Sequence, residues 1–503
     1  MHPVFKAESI KIIEQAAAKA QGFALFELMQ RAGHAAFDCL EREWPLAHRV
    51  VIVTGSGNNA GDGLIVAALA LRAGMQVTLV PIKPLQDLTG DSATAWQQLK
   101  DKNIPIKEPE HALFEQADVI VDALLGTGFQ GRLRDEYAQV IEQINHSGMP
   151  VLALDLPSGV YADSGLCAEQ YIRADHTVSF IFYKVCQVLN EGLAAQGELH
   201  LATLGVSQSQ FYQQHPIAWK QSYSDVMDSI PERSATAYKQ ACGHLLCVGG
   251  DFTMGGAIML ATETAMRSGA GLVTTFLHPD NRSAALGFCP EAMWHGVAFE
   301  ELSFNSLIEA SPKQYNAIVL GPGLGRSEWG RLVFEQAFAY ARQQQLPCLI
   351  DGDGLFWLQK HLSDAGKRPE LPHPLILTPH VGEAARLLSW DTAKVSEDRI
   401  MAAQAVAEQY QCICLLKGAG TIIADGQQIV IAGGAHPAMA TAGLGDVLSG
   451  LIGSLLVQGM SAWDAACVAT SIHFTAGVET AGDRVRGVLA SELIESIHYL
   501  VNR

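Results

Sequence analysis

The sequence contains no run of about 18 apolar residues, the length a membrane-spanning helix needs. Its nearest approach, Val447–Met460, follows Asp446 and is interrupted by Ser449, Ser454 and Gln458, as in a buried helix. Charge is scarce at 17% of residues, and positive charge scarcer: 34 Lys and Arg face 52 Asp and Glu, a formal net charge of −18. That deficit argues against nucleic acid or an anionic membrane as the main partner. It leaves phosphorylated small molecules open, because backbone amides and a few cations can hold phosphate inside an acidic protein. The ten cysteines include no CxxC pair, and Cys412 and Cys414 merely alternate within an apolar run. Free thiols in a reducing cytoplasm are expected, and no zinc site. The N-terminal MHPVFKAESIKIIEQAAAKA has no basic segment followed by an unbroken apolar core, so no signal peptide is expected. What is abundant is apolar residues, 49% of 503, enough for two to four domains that each bury a core.

The first half alternates short apolar runs with helical stretches. Strands are predicted at Arg49–Thr54, Gln76–Pro81, Asp118–Ala123, Val151–Leu156 and Thr177–Phe182, with helices such as Asp62–Ala73 and Asp91–Lys100 between them. Consecutive Val, Ile and Leu suit strands buried on both faces of a parallel sheet, so an α/β, doubly wound domain is expected. Ligands of such sheets bind at the carboxyl ends of the strands. Around Ser207–Tyr238 the pattern lapses into a polar stretch with Pro216 and Pro231. A boundary is placed near residue 220, giving domains at 1–215 and 225–503. The second half repeats the grammar, with strands at His244–Val248, Leu272–Leu277, Ala317–Leu320, Cys348–Ile350, Leu375–Leu377 and Cys412–Leu416. A hairpin at Thr421–Ala424 and Gln428–Ala432 turns at Asp425-Gly426, and helices Asp446–Gln458 and Ala462–Ala481 follow. No internal repeat or low-complexity tract stands out.

Three polar clusters stand at strand ends in the first half. Gly55-Ser56-Gly57-Asn58-Asn59-Ala60-Gly61-Asp62-Gly63 follows a strand and opens a helix, a context in which free amides cradle an anion. It could equally be a tight turn, but its asparagines and aspartate add side-chain oxygens. Asp122 is followed by Gly126-Thr127-Gly128-Phe129-Gln130-Gly131-Arg132, and Asp155-Leu156-Pro157-Ser158-Gly159 closes the third strand end. An aspartate at the end of a buried strand is costly unless paired or used. Together the three patterns resemble the epimerase domain of the NAD(P)H-hydrate repair enzymes, over nearly all of residues 1–215. The resemblance implies that Asn58, Asn59, Ala60, Gly61 and Asp62, with Gly126–Arg132, bind a nicotinamide nucleotide hydrated at C6. Tyr137 and Asp155 would also contact it, Asp155 as the proton-transfer group. Asn59, Asp122 and Ser158 would hold a potassium ion. The family usually has glycine where Ala60 stands, so strain is expected there if that position needs positive φ.

In the second half, Gly249-Gly250-Asp251, Gly321-Pro322-Gly323-Leu324-Gly325 and Asp351-Gly352-Asp353-Gly354 each follow a strand, and each alone could be a structural turn. His380 lies in Leu377-Thr378-Pro379-His380-Val381-Gly382-Glu383. Two motifs are sharper. Lys417-Gly418-Ala419-Gly420-Thr421 sets a lysine, glycines and a hydroxyl at a strand end, where nucleotide phosphates can approach. Thr441–Gly450, which includes Gly445-Asp446, opens a long helix whose first amides can face an anion while Asp446 acts as a base. The plainer role of Asp446 is to complement the helix dipole. This helix start resembles the ribokinase-like fold, and the whole set resembles the ADP/ATP-dependent NAD(P)H-hydrate dehydratases over about residues 230–500. The resemblance implies that Lys417, Gly418, Ala419, Gly420, Thr421 and Gly445 contact AMP or ADP, with Mg2+ accompanying ADP. It further implies that Ala257, Gly323, His380 and Asp446 contact the hydrate. The family's Asp-Ala-Asp is Asp351-Gly352-Asp353 here.

The two resemblances occur in the order of the bifunctional family. The expected function is metabolite repair: epimerisation of NADHX and NADPHX, and ADP-driven dehydration of the S epimer by a cytoplasmic protein, with Gln208–Lys239 available to a homo-oligomer contact. Two other classes compete. A true ribokinase-like kinase would release a stable phosphoester, and a non-catalytic first domain would bind nucleotide without chemistry.

Overall fold

The computed structural model describes residues 1–207, 214–298, 314–364 and 370–503. Part of the Gln208–Lys239 stretch, residues 208–213, lies outside them. The chain forms two compact units, His2–Lys220 and Gln221–Arg503 with Met1.

In the first unit, β1 (His2–Phe5) is followed by β2 (Arg49–Thr54), β3 (Gln76–Pro81), β4 (Val119–Ala123), β5 (Val151–Leu154), β6 (His176–Phe180), β7 (Tyr183–Lys184) and β8 (Glu198–Ala202). Six of these form a parallel sheet in the order β3-β2-β4-β5-β6-β8. Alternation along the strands divides the core. Val50 and Ile52 of β2, with Val119 and Val121 of β4, pack into one layer. Val51, Val53 and Ile120 pack into the other. Both faces are thus covered, which is why these strands read as unbroken apolar runs. The chain leaves β2 outward to β3 and returns across it to β4. The crevice between the carboxyl ends of β2 and β4 is therefore a topological switch point, where ligands of open α/β sheets bind.

The second unit contains β10 (His244–Val248), β11 (Leu272–Leu277), β12 (Met293–Gly296), β13 (Ala317–Leu320), β14 (Cys348–Ile350), β15 (Leu375–Leu377), β16 (Ile413–Leu416), β17 (Thr421–Ala424) and β18 (Ile429–Ala432). Their order is β12-β11-β10-β13-β14-β15-β16-β17-β18, parallel through β16 and antiparallel beyond. The switch point lies between β10 and β13. Both units are α/β with parallel sheets, as expected.

Several boundaries move. The helix expected from Asp62 begins at Asn58, and the one expected from Asp446 begins at Leu444. The stretch read as irregular around Ser207–Tyr238 contains β9 (Ala218–Gln221), whose first three residues pair antiparallel with β1. Strands β1, β7, β8, β9 and β12 were not expected; they are short or carry polar residues such as His200, Lys220 and His295. All ten cysteines are free. Among the described residues, no helix is long and apolar enough to cross a membrane.

Candidate active sites

The first unit encloses a cavity of about 570 Å³ at its switch point. One wall is the start of helix Asn58–Arg72, which brings Asn58, Asn59 and Asp62 to the cavity; a second is Gly126–Gln130 with Arg132; Tyr137 and Asp155 complete the expected set. Ala60, Gly61 and Gly131 do not line it. Gly61 faces away, where a Cβ would stand 2.6 Å from Met29 Sδ and 2.8 Å from Ser92 Oγ. Ala60 is fully buried, in the first turn of the helix and outside the positive-φ residues. The expected strain is therefore absent, because the position is helical. Ala60→Gly should lower stability by about 0.5–1 kcal/mol without tightening ligand binding, as read by denaturant unfolding and calorimetry; tighter binding would restore the strain argument.

Asp155 has φ +65, an uncommon conformation for a non-glycine residue. Its carbonyl accepts from Gln187 Nε2 at 2.9 Å, and its Oδ1 lies 2.6 Å from Nζ of the buried Lys184. Lys184 also donates to Ser179 Oγ at 3.2 Å and to the Phe180 carbonyl at 3.1 Å. Behind the cavity, Ser158 donates from Oγ at 2.6 Å and from its amide at 2.8 Å to the fully buried Asp122. Burial pushes the Asp122 carboxyl up to about 6 despite those bonds. Asn59 Nδ2 donates to the Leu125 carbonyl at 2.9 Å, and its buried Oδ1 has no partner. Phe129 stacks on Tyr161 with centroids 5.0 Å apart, and Tyr161 donates to the Gly131 carbonyl at 2.8 Å, which fixes the second glycine loop. The Arg132 side chain is almost fully exposed.

In the second unit a cavity of about 350 Å³ is lined by Lys417, Gly418, Ala419, Thr421 and Gly445 of the expected nucleotide set, together with His436, Met439, His473 and Phe474. Gly420 does not line it. The buried Arg399 donates to the carbonyls of Ala419 (2.7 Å), Gly420 (2.7 Å) and Leu416 (3.3 Å), which holds the loop's oxygens away from an incoming anion. Lys417 Nζ is 2.7 Å from Asp351 Oδ1, and Ser449 Oγ donates to Asp351 Oδ2 at 2.7 Å. Burial raises the Asp351 carboxyl, but Lys417 and the hydrogen bonds outweigh it and hold the group below the usual carboxylate range. Gly445 lies over this pair: a Cβ there would be 3.2 Å from Lys417 Nζ. Gly443, at φ +90, begins the helix in a conformation that favours glycine. Asp446, in its first turn, is raised to about 7 by burial and by Asp351, with Lys417 opposing.

The residues expected to contact the hydrate do not line this cavity. Gly323 (φ +60) abuts Ala257, since a Cβ at 323 would meet Ala257 Cβ at 3.0 Å. The Asp251 amide donates to the Gly323 carbonyl at 2.7 Å, lacing the loops after β10 and β13 together. His380 bridges Lys417 in parallel backbone register. Its Nδ1 accepts from the amides of Gly382 (3.0 Å) and Glu383 (3.3 Å), so that nitrogen caps a helix, while Nε2 lies 3.5 Å from Glu383 Oε1.

Residues 245–499 match the family described as NAD(P)H-hydrate dehydratase, and residues 25–186 match the YjeF-related protein N-terminus. A bifunctional NAD(P)H-hydrate repair enzyme of Coxiella burnetii is 38% identical over the full length of both chains. The Escherichia coli enzyme of that description is 36% identical over 100% of this chain and 94% of its own. The chain belongs to the bifunctional NAD(P)H-hydrate repair enzymes. Its second unit also resembles a ribokinase-like superfamily protein from Enterococcus faecalis, at TM-score 0.51 and 27% identity over 57% of this chain and 96% of that one.

For a repair enzyme with two sites, several side chains at both were not legible as motifs. Lys184, Glu14, Arg399, His473 and Phe474 stand singly in helices or strands. Asp351 was visible only as part of a turn. A charged residue inside an apolar stretch, such as Lys184 after Ile181-Phe182, was the one available signal.

Proposed function

We propose that the first unit interconverts the C6 epimers of NADHX and NADPHX, and that the second dehydrates the S epimer at the expense of ADP, giving AMP and phosphate. The observation that carries this reading is a separate glycine-lined cavity in each unit, in the order the bifunctional family has. In the first, Asn58, Asp62 and the Gly126–Arg132 loop hold the nucleotide, with the exposed Arg132, loosely paired with Asp135 at 3.9 Å, in a position to meet phosphate. Asp155, placed by Lys184 and Gln187, moves the proton. Asn59, Asp122 and Ser158 suit potassium, a hard cation that takes oxygen ligands. The partnerless Asn59 Oδ1 and a buried Asp122 whose partners are neutral donors support that assignment. A bound cation there would offset the buried carboxylate and order the second glycine loop.

In the second unit, hydroxide is a poor leaving group at neutral pH, and phosphorylation makes it a good one. Asp446 takes the C6 hydroxyl proton and the oxygen attacks the terminal phosphate of ADP. The N1 lone pair then expels phosphate with that oxygen, and the C5 proton leaves to the departing phosphate as the C5–C6 double bond returns. Amides of the Gly443–Asp446 turn and Lys417 face the transferred group. Magnesium would neutralise phosphate charge. Phe474 and Met439 provide an apolar wall for the base. The substrates are small molecules handled by an acidic cytoplasmic protein, and a homo-oligomer through the Gln208–Lys239 stretch is part of the proposal.

The test is incubation of the full chain with mixed NADHX epimers. With ADP and K+, all of the hydrate should return to NADH, and a phosphate ester of the hydrate should not accumulate. Replacing K+ by a large organic cation, or Asp155 by alanine, should leave about half the hydrate behind at early times. No NADH under any condition, or a stable phosphoester, would reject the reading in favour of a kinase. Complete early conversion by Asp155→Ala would instead reassign the proton-transfer group.

A further inference from the structure

We infer that Glu14 is the general acid that works opposite Asp155 in the first cavity. The inference rests on the epimerase reading of that site and adds the group it lacks.

Glu14 comes from helix Ala7–Gln21, which carries no glycine motif. Its spacing with Ile10 and Lys11 places all three on one side of the helix, and all three line the cavity that Asp62 and Asp155 also line. Three carboxyl groups therefore share one cavity. The buried cation available to them, Lys184, is already committed: it pairs with Asp155 at 2.6 Å and spends its remaining protons on Ser179 and Phe180. Glu14 and Asp62 are left to share the cavity with that pair. Burial and then Asp155 raise the Glu14 carboxyl to about 7, with Lys184 and Lys11 opposing. Burial, Asp155 and Glu14 likewise raise the Asp62 carboxyl well above the usual carboxylate range. Near neutral pH Glu14 can both give up a proton and take it back. Arg132, Arg134 and Tyr137 also face the cavity, from the opposite loop and helix.

The chemistry requires such a partner. The C6 centre bears a hydroxyl and the ring nitrogen, and it inverts only if one of those bonds breaks and re-forms on the other face. When the ring opens, Asp155 takes the hydroxyl proton and the oxygen's electrons form the C6 carbonyl. The C6–N1 pair goes to nitrogen, which receives the Glu14 proton. After rotation about C5–C6, nitrogen adds to the other face, its proton returns to Glu14 and that of Asp155 returns to oxygen. No redox equivalent or nucleotide is consumed. An acid with a pKa close to the working pH is suited to run this step in both directions.

Epimer exchange is followed by NMR on the full chain without ADP, so that dehydration is idle. Glu14→Gln should lower the exchange kcat by about a hundredfold or more with little change in KM. In the parent, kcat/KM should fall as pH rises through about 7, because the acid form is lost. Glu14→Gln should lack that limb and Glu14→Asp should keep it at a reduced rate. A parent chain with no exchange above the spontaneous rate overturns both readings. An active parent matched by Glu14→Gln in kcat and pH limb overturns this one alone, as does a defect confined to KM.

Discussion

Asp446→Asn should lower NAD(P)H-hydrate dehydration by roughly 10²–10⁴-fold, read as the return of reduced-nicotinamide absorbance with ADP present. Asparagine keeps the shape of the side chain and its place in the first helical turn, but it cannot accept the hydroxyl proton. Epimer exchange in the other unit should continue. The parent's pH profile should carry the same information. Burial and Asp351 raise the Asp446 carboxyl to about 7, so the basic form is present above that pH and lost below it. The kcat/KM for dehydration should fall as pH drops through about 7, and Asp446→Asn should lack that limb. Full activity in the variant would reduce Asp446 to helix-dipole complementation, the plainer role its position allows.

Lys417→Met should have the largest effect on stability. Its ammonium contacts a carboxyl that is almost completely buried, and Met fills similar volume without charge. Removing one partner of a buried pair typically costs about 3–5 kcal/mol, because the other is stranded. Nucleotide binding should weaken as well, since Lys417 lines the second cavity. The sign with pH distinguishes stranding from simple loss of packing. In the parent, Asp351 has a depressed pKa. Its contribution is therefore present above the unfolded carboxylate pKa and lost as pH falls through the lower folded value. In Lys417→Met, burial without the cation reverses the shift, so the deficit should shrink as pH is lowered. Adding Asp351→Asn should recover much of the loss. Denaturant unfolding across pH measures all three; a deficit that does not vary with pH would assign the cost to packing.

The two sites differ in how much of them could be read from sequence. The Gly55–Gly63 and Lys417–Thr421 stretches were legible because glycines cluster where another group comes close to the backbone, as the Leu124 carbonyl does at Gly55 and Arg399 does at Gly418. Strands β2, β3, β10, β11, β13, β14 and β15 were found at their full extents because burial on both faces leaves unbroken apolar runs. Short strands such as β7 and β12 were missed: pairing with neighbours makes them strands, and propensity in so few residues is a weak signal. The concern over Ala60 shows the same limit in reverse. A glycine-rich motif implied a special backbone, whereas the helix begins at Asn58 and makes alanine ordinary there.

By itself, the sequence determined the α/β class, the parallel-sheet grammar in each half, the glycine loops at strand ends and the order of the two family patterns. These depend on residue type and local spacing, which a sequence displays directly. Only the tertiary structure decided which side chains share a site. It brought Glu14 to Asp155 across 141 positions, set Lys184 against Asp155, and placed Lys417, Asp351 and Ser449 in one buried cluster. It also turned Gly61 into a packing residue and His380 into a helix cap. The physical reason is common to all of these. Proton affinity and charge compensation depend on distance and burial in the folded chain, and strand order, rather than sequence separation, sets both.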